Sequence, residues 1–212
     1  MAIETTSLPK EELELFKQLK DLKVIFDVGA RTNTDYLEIW LDSQHHLFEP
    51  NPLSCDELKR KVGDKSNVHI NAFGLGDRKE ERGYRDGLQS FVNSWQLSDT
   101  DTYDQKLLLM TLSEYAKEKN IEQIDFLKID TEGFELKVLL GAIHYLDKIR
   151  FIQYEHWGTH NNKCIKGLLQ DDFWTEEVGY RNVFCVNKKL VSEEERGRLR
   201  TYIEENKLAE LV

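Results

Sequence analysis

Short apolar runs of strand character alternate along this chain with stretches in which apolar residues recur at helical spacing. The sharpest junction is Phe126–Glu135. Phe126, Leu127 and Ile129 predict a strand that ends on Asp130 and Glu132, and Phe134, Leu136, Val138, Leu139 and Leu140 then predict a helix up to Gly141, a natural C-terminal stop. Upstream, Ser7 as cap and Pro9 in the first turn predict a helix with an apolar stripe of Leu13, Phe16 and Leu19. Val24–Asp27 predicts a strand running into the loop Val28–Asn33, followed by a helix that carries Tyr36, Leu37, Trp40 and Leu41. His46–Glu49 is a third strand. Pro50 and Pro52 follow it, with a polar helix around Asp56–Lys61 in which Leu53 and Leu58 face inwards. Val68–Phe73 is a fourth, closed by a turn at Gly74, Gly76 and Asp77.

The pattern lapses from Arg78 to Lys106, which reads as a long functional loop or a small excursion of short strands. Leu107–Met110 resumes β character, and Thr111 or Ser113 can cap a helix over Glu114–Lys119. Phe151–Glu155 is another strand ending on a carboxylate, continued by His156–His160. A helical piece near Ile165–Val178 precedes Tyr180–Val186, which with the turn Asn187-Lys188 and Leu190 predicts a terminal hairpin. The mixed-charge segment Ser192–Leu211 reads as a solvated surface helix. This alternation implies an α/β fold with a mainly parallel sheet covered on both faces. Ligands of such sheets bind beyond the carboxyl ends of the strands, so Asp27 with Gly29, Glu49, and the group Asp130, Glu132, Glu155 and His156 should converge on one rim.

The 212 residues suit a single domain over 1–212, with an N-terminal helical segment over 1–22 and a C-terminal helix over 192–212. A formal charge of −10 argues against a nucleic-acid partner. Cys55, Cys164 and Cys185 are few, odd in number and widely spaced, so neither a disulfide framework nor a cysteine-based zinc site is expected. Met1–Lys10 lacks a basic stretch followed by an apolar core, and no run of roughly 18 apolar residues occurs. A soluble protein of the reducing cytoplasm, with no integral membrane segment, is the expectation; the oligomeric state stays open.

Gly29 and Glu49 stand about 20 residues apart, the spacing at which an acidic side chain in nucleotide-binding α/β folds meets ribose hydroxyls. A carboxylate suits two vicinal hydroxyl donors because it offers two acceptor oxygens. Dinucleotide sites want three glycines for the pyrophosphate, and this loop has Gly29 alone, with Asn33 at a later position, so a nicotinamide oxidoreductase is disfavoured. An adenosine cofactor without phosphates, such as S-adenosylmethionine, needs one tight turn, and its sulfonium favours nearby carboxylates.

Phe26–Ala30, Leu47–Pro52, Asn71–Asp77, Leu109–Leu112, Ile124–Glu135 and Val138–Ala142 resemble, in order and spacing, the FkbM-type S-adenosylmethionine-dependent methyltransferases, over about Val24 to Glu155. The resemblance implies a Rossmann-like methyltransferase fold, with a mostly parallel seven-stranded sheet, helices on both faces and a C-terminal antiparallel hairpin. It also implies O-methylation of a sugar, glycan or similar small-molecule alcohol. By position it assigns Asp27, Gly29, Ala30 and Asn33 to the cofactor loop, Glu49 to the ribose, and Ala72 with Phe73 to the adenine edge, with Pro50 and Asp130 also among the cofactor-binding residues. Asp130 and Glu132 fall in the acidic strand-end motif beside the reacting methyl. The family usually has Asn and then Gly after the Gly-Ala pair, where this chain has Arg31 and Asn33. Asn33 is expected to take the left-handed conformation there, while Arg31 brings a bulky cation towards a cationic cofactor. Asp130, Glu155, His156 and His160 are candidate bases, and metal-independent base catalysis is preferred to a divalent ion held by Asp130, Glu155 and His156. Trp95 and Trp157 are candidates for stacking on a sugar or for the core. The competing function is a non-catalytic methyltransferase-like partner module, against which the retained Glu49 and Asp-Thr-Glu-Gly motif speak.

Overall fold

A computed structural model describes residues 9–86, 90–91, 103–156, 158–179 and 181–210. Its strands are β1 (Val24–Val28), β2 (Gln44–Phe48), β3 (Val68–Asn71), β4 (Gly74–Leu75), β5 (Glu80–Arg85), β6 (Ser90–Phe91), β7 (Gln105–Met110), β8 (Ile124–Ile129), β9 (Ile149–Glu155), β10 (Phe173–Glu177) and β11 (Asn182–Asn187). Its helices are α1 (Lys10–Phe16), α2 (Tyr36–Ile39), α3 (Pro52–Val62), α4 (Leu112–Glu118), α5 (Glu135–Gly141), α6 (Thr159–Leu169) and α7 (Glu193–Glu205). Seven strands form one sheet in the order β10-β11-β9-β8-β1-β2-β3. All neighbours in it are parallel except β11, which runs antiparallel to both β9 and β10. The order turns back between β1 and β8, and the crevice of such a sheet opens at that point, beyond the carboxyl ends of the strands.

Alternation along the strands builds two cores. Phe26, Val28, Leu127, Ile129 and Ile152 face one side, where α4, α5 and α6 supply Leu112, Val138 and Ile165. Ile25, Phe126, Phe151 and Phe184 face the other, against Leu15, Phe16 and Tyr36 and against Leu199 and Ile203 of α7. The last helix is thus charged on its outer face but anchored by two leucine-class residues one turn apart, more than a solvated helix. On α1 the buried positions are Glu12, Leu15 and Phe16, with Leu19 after the helix, rather than Leu13. Glu12 is tolerated inside because both of its oxygens accept from Asn182 Nδ2 at 2.9 Å.

Several sequence expectations are corrected. The terminal hairpin pairs β10 with β11 around the turn near Gly179, so Phe173–Glu177 is strand and the helix before it stops at Leu169. Leu58 is buried as expected, but Leu53 is 82% exposed and Leu41 is also exposed, because α2 ends at Ile39 and α3 turns its first residues to solvent. Leu107–Met110 does not join the central sheet. It belongs to β7 of a second sheet, ordered β4-β7-β5-β6, which takes in the Gly74 turn and most of the described part of the unpatterned segment. Thr111 is the cap of α4, with Glu114 completing a capping box. Ser7, Trp95, Trp157 and Tyr180 lie outside the described residues.

Gly141 ends α5, but left-handed backbone is not why glycine stands there. A Cβ on it would sit 1.9 Å from the carbonyl oxygen of Gly76, where α5 presses on the β4 turn. Exposed-helix Gly→Ala changes usually stabilise, so the two kinds of helical glycine should respond with opposite signs. Gly197→Ala, in open space within α7, is expected to add roughly 0.5–1 kcal/mol. Gly141→Ala should instead cost about 1–3 kcal/mol through overpacking. Urea unfolding of the two variants checks this; a gain at residue 141 would contradict the close approach.

Candidate active site

The central pair of strands brings Lys128 directly opposite Asp27 in register. The Lys128 ammonium is nearly buried and holds three acceptors: Asp27 Oδ1 at 3.1 Å, the Gly29 carbonyl at 3.0 Å and Asp130 Oδ2 at 3.5 Å. Burial alone would lower the Lys128 pKa; the carboxylates of Asp27 and Asp130 more than offset it and hold the ammonium above its ordinary value. The loops after β1 and β8 touch. Gly29 has φ +84°, and a Cβ there would meet the Asp130 carbonyl oxygen at 1.8 Å, so both conformation and space require glycine.

Glu49, just past β2, is buried. Its Oε2 accepts the Arg31 N–H at 2.8 Å and its Oε1 the Asn51 N–H at 2.7 Å. Burial raises its pKa, with these two N–H groups, Lys128 and Arg31 working the other way. The Arg31 backbone reaches Glu49 by adopting φ +51°, so Arg31 takes the left-handed conformation expected of Asn33, whose φ is not positive. The Arg31 guanidinium lies 3.9 Å from Glu132 Oε1. Glu132 and Gly133 are themselves left-handed, at φ +56° and +101°. Glu135 holds that turn: its Oε1 accepts from Thr131 N at 3.1 Å, Thr131 Oγ1 at 3.1 Å and Gly133 N at 2.9 Å. The last residue of the acidic motif is therefore a brace for the loop, a role the sequence pattern did not show.

These loops enclose a cleft with about 460 Å³ of empty space, its open mouth included. Gly29, Arg31, Glu49, Pro50, Asp130 and Glu132 give it polar walls, and Phe48, Leu75, Tyr84 and Phe134 apolar ones. Five expected residues are thus together: Gly29, Glu49, Pro50, Asp130 and Glu132. Asp27 lies beneath them, under Lys128. Ala30 instead packs with Leu37 and Leu47, Ala72 is exposed, and Phe73 rests 5.9 Å from Phe48 and 6.0 Å from Tyr115 between ring centroids. None of these three lines the cleft, nor does Asn33; Gly74 and Leu75, two residues further along, do. Glu155 is the last residue of β9, the neighbour of β8, at the level of Asp130 but outside the lining. His156 is outside it too. Its N–H donates to the Arg181 carbonyl at 2.9 Å, and burial lowers its pKa, with Glu177 opposing. His160 Nε2 is 3.7 Å from Cys164 Sγ on α6. Among the described residues there is no cluster of three or more His, Cys, Asp or Glu side chains able to hold a metal ion, and no helix is long and apolar enough to cross a membrane.

The sheet order and the strand-end cleft define a Rossmann-like methyltransferase fold. Solved structures of this fold include an rRNA methylase from Streptococcus thermophilus (TM-score 0.50, 9% identity, 85% of this chain and 98% of that one). Another is a Staphylococcus aureus protein provisionally described as a caffeoyl-CoA O-methyltransferase (TM-score 0.53, 11% identity, 85% of each chain). The sequence matches the Methyltransferase FkbM domain over residues 27–205, and the chain belongs to that family of S-adenosylmethionine-dependent methyltransferases. A curated relative is the hexuronic acid methyltransferase AglP of Haloferax volcanii, 22% identical over 167 residues, 77% of this chain and 68% of that protein.

Removing the ammonium would leave two carboxylates facing each other without a counter-charge. Lys128→Met is expected to cost about 3–5 kcal/mol of stability at neutral pH, measured by urea unfolding. Because the folded-state pKa of Lys128 is raised, its contribution is complete below the unfolded value of about 10.4 and is lost only as pH climbs through the higher folded value. A neutral effect at pH 7 would show that the network is not what joins these loops.

Proposed function

We propose that this chain transfers a methyl group from S-adenosylmethionine to a hydroxyl of a sugar or glycan, with Glu132 as general base. The observation that carries the base assignment is that Glu132 lines the same cleft as Glu49 and Asp130 while its pKa is raised, first by burial and then by the Asp130 charge, with Arg31, Lys128 and Arg181 opposing. A carboxylate of raised pKa accepts a proton more readily, and an alcohol must shed its proton as it attacks. The sugar class is supported by the relative that acts on a hexuronic acid. The guanidinium groups of Arg31 and Arg181 lie within electrostatic reach of Glu132, the complement that a sugar carboxylate calls for.

The residues present fit the cofactor. Each Glu49 oxygen takes one backbone N–H and keeps acceptor capacity for a ribose hydroxyl. Phe48, Leu75 and Tyr84 offer apolar surface for an adenine ring. Glu49 and Pro50 would hold the ribose, and the Gly29 turn and Asp130 the amino-acid end. When bound, S-adenosylmethionine supplies a methyl group made electrophilic by a positive sulfur. Asp130, held against Lys128, keeps negative charge beside that position, Phe134 and Tyr84 limit water, and Glu132 takes the hydroxyl proton onto a carboxylate oxygen.

Glu49→Ala is expected to weaken cofactor binding by on the order of 1.5–3 kcal/mol in calorimetry. The Glu49 pKa is raised, so the ionised form that accepts the hydroxyls disappears as pH falls through a value above the ordinary carboxylate range. Affinity should fall at that pH in the wild type and lack the step in Glu49→Gln. With hexuronic acids and their glycosides as first acceptors, Glu132→Gln should lower kcat by roughly 10²–10⁴-fold while leaving cofactor affinity unchanged. Wild-type turnover in that variant, or activity abolished by chelator and rescued by magnesium or manganese, would overturn the base assignment.

A further inference from the structure

We infer that the open edge of β10 is a self-complementary interface, through which two copies of this chain pair antiparallel and join their sheets. Among the described residues β10 ends the seven-stranded sheet and pairs within it with β11 alone. Two hydrogen bonds flanking that pairing, Val178 N–H to the Asn182 carbonyl and Lys188 N–H to the Asp172 carbonyl, both 2.8 Å, establish its phase. Bonded and non-bonded pairs alternate along an antiparallel ladder. With residues 172 and 178 in bonded pairs, Trp174 and Glu176 also bond to β11, and the N–H and C=O groups of Phe173, Thr175 and Glu177 point outwards. Such an edge is a template for another strand.

The outward set is symmetric about Thr175. A second β10 laid antiparallel pairs Thr175 with its own copy and Phe173 with Glu177 on either side, three pairs that each exchange two hydrogen bonds. A slip of one residue would instead oppose groups already bonded to β11.

Side chains agree with this register. On the α7 face the Arg200 guanidinium stacks 4.7 Å from the Trp174 ring centroid. Among the described residues neither Arg200 nor Glu176 has an ion-pair partner. Trp174 of one copy falls opposite Glu176 of the other, so each Arg200 meets a Glu176 across the two-fold axis. The turn at Leu208–Glu210 packs against β10 from the α7 face, where Leu208 joins that core and its carbonyl accepts the Gly179 N–H. An acidic extended peptide is the competing occupant, since Lys163, Lys166 and Lys188 line the α6 side of the edge. Yet Lys166 is already paired with Glu177 at 2.6 Å, and Lys188 donates to the Gln170 and Asp171 carbonyls, so much of that charge is engaged. Arg200 and Glu176, which have no ion-pair partner among the described residues, favour the second copy.

Sedimentation equilibrium of the whole chain should give a dimer. Thr175→Pro removes an N–H that bonds nothing within the described chain, and should give a monomer with an unchanged far-UV spectrum. Thr175→Cys should form a disulfide between copies on mild oxidation, because opposed residues of a bonded pair lie about 5.5 Å apart between Cα atoms. Glu176→Arg and Arg200→Glu should each raise the dimer dissociation constant about tenfold or more, and the double variant should restore it. A monomer at every accessible concentration overturns the inference, as does a dimer that gives no Thr175→Cys cross-link and ignores the charge reversals. A monomer that binds a poly-glutamate peptide, and loses it in Lys163→Glu, assigns the edge to an acidic peptide and overturns it as well.

Discussion

The mouth of the sheet depends on one buried ammonium. Asp27 and Asp130 end adjacent parallel strands and would repel each other across a few ångströms of low-dielectric interior; Lys128 lies between them and also binds the Gly29 carbonyl. A buried ion network of this kind is a poor source of net stability, because desolvation costs about what attraction returns. Its effect is positional. With Lys128 in place, the β1 loop rests against the β8 loop closely enough that a Cβ on Gly29 has no room.

From that contact the remaining walls follow in sequence. Gly29 and Ala30 donate their N–H groups to the Phe48 carbonyl, which carries the loop across to β2 and sets Arg31 to donate to Glu49. On the other side Glu135 ties Thr131 and Gly133 so that Glu132 stands in the cleft in a left-handed conformation. Left-handed backbone at Arg31 and Glu132 is costly for residues with side chains, and conformations of this kind persist where surrounding bonds over-determine them. Two carboxylates hold them: Glu49 for one loop, Glu135 for the other. Both are pushed up in pKa by burial, with backbone N–H groups opposing, so each buys loop geometry at a cost in solvation.

The second sheet gives the cleft its apolar side. Gly74 and Leu75 of β4 and Tyr84 of β5 reach it from a region whose sequence is too polar to show period-two alternation. Tyr84 is nonetheless buried, and burial together with the charges of Glu49 and Asp86 raises its pKa. Tyr84 is the one fully buried residue of a strand whose other positions are charged or glycine and mostly half-buried, so the local pattern carries little trace of it.

The sequence by itself determined the class of fold, the positions of β1, β2, β8 and β9 to within a residue or two, and that Gly29, Glu49, Asp130 and Glu132 meet at one rim, because strand-end carboxylates and a tight-turn glycine are local features with local signatures. Lys128 was given no role by the sequence: as a cation between Leu127 and Ile129 it stands out, but its meaning needs the register that sets Asp27 opposite it. Tertiary structure alone decided that Arg31 and not Asn33 takes the left-handed turn, that Glu135 braces the loop, that Leu75 replaces Phe73 at the cleft, and that Phe173–Glu177 is an edge strand. Each of those outcomes turns on a partner distant in sequence or on which of two faces a segment meets. Composition and periodicity record that a residue is to be buried or bent; they do not record against what.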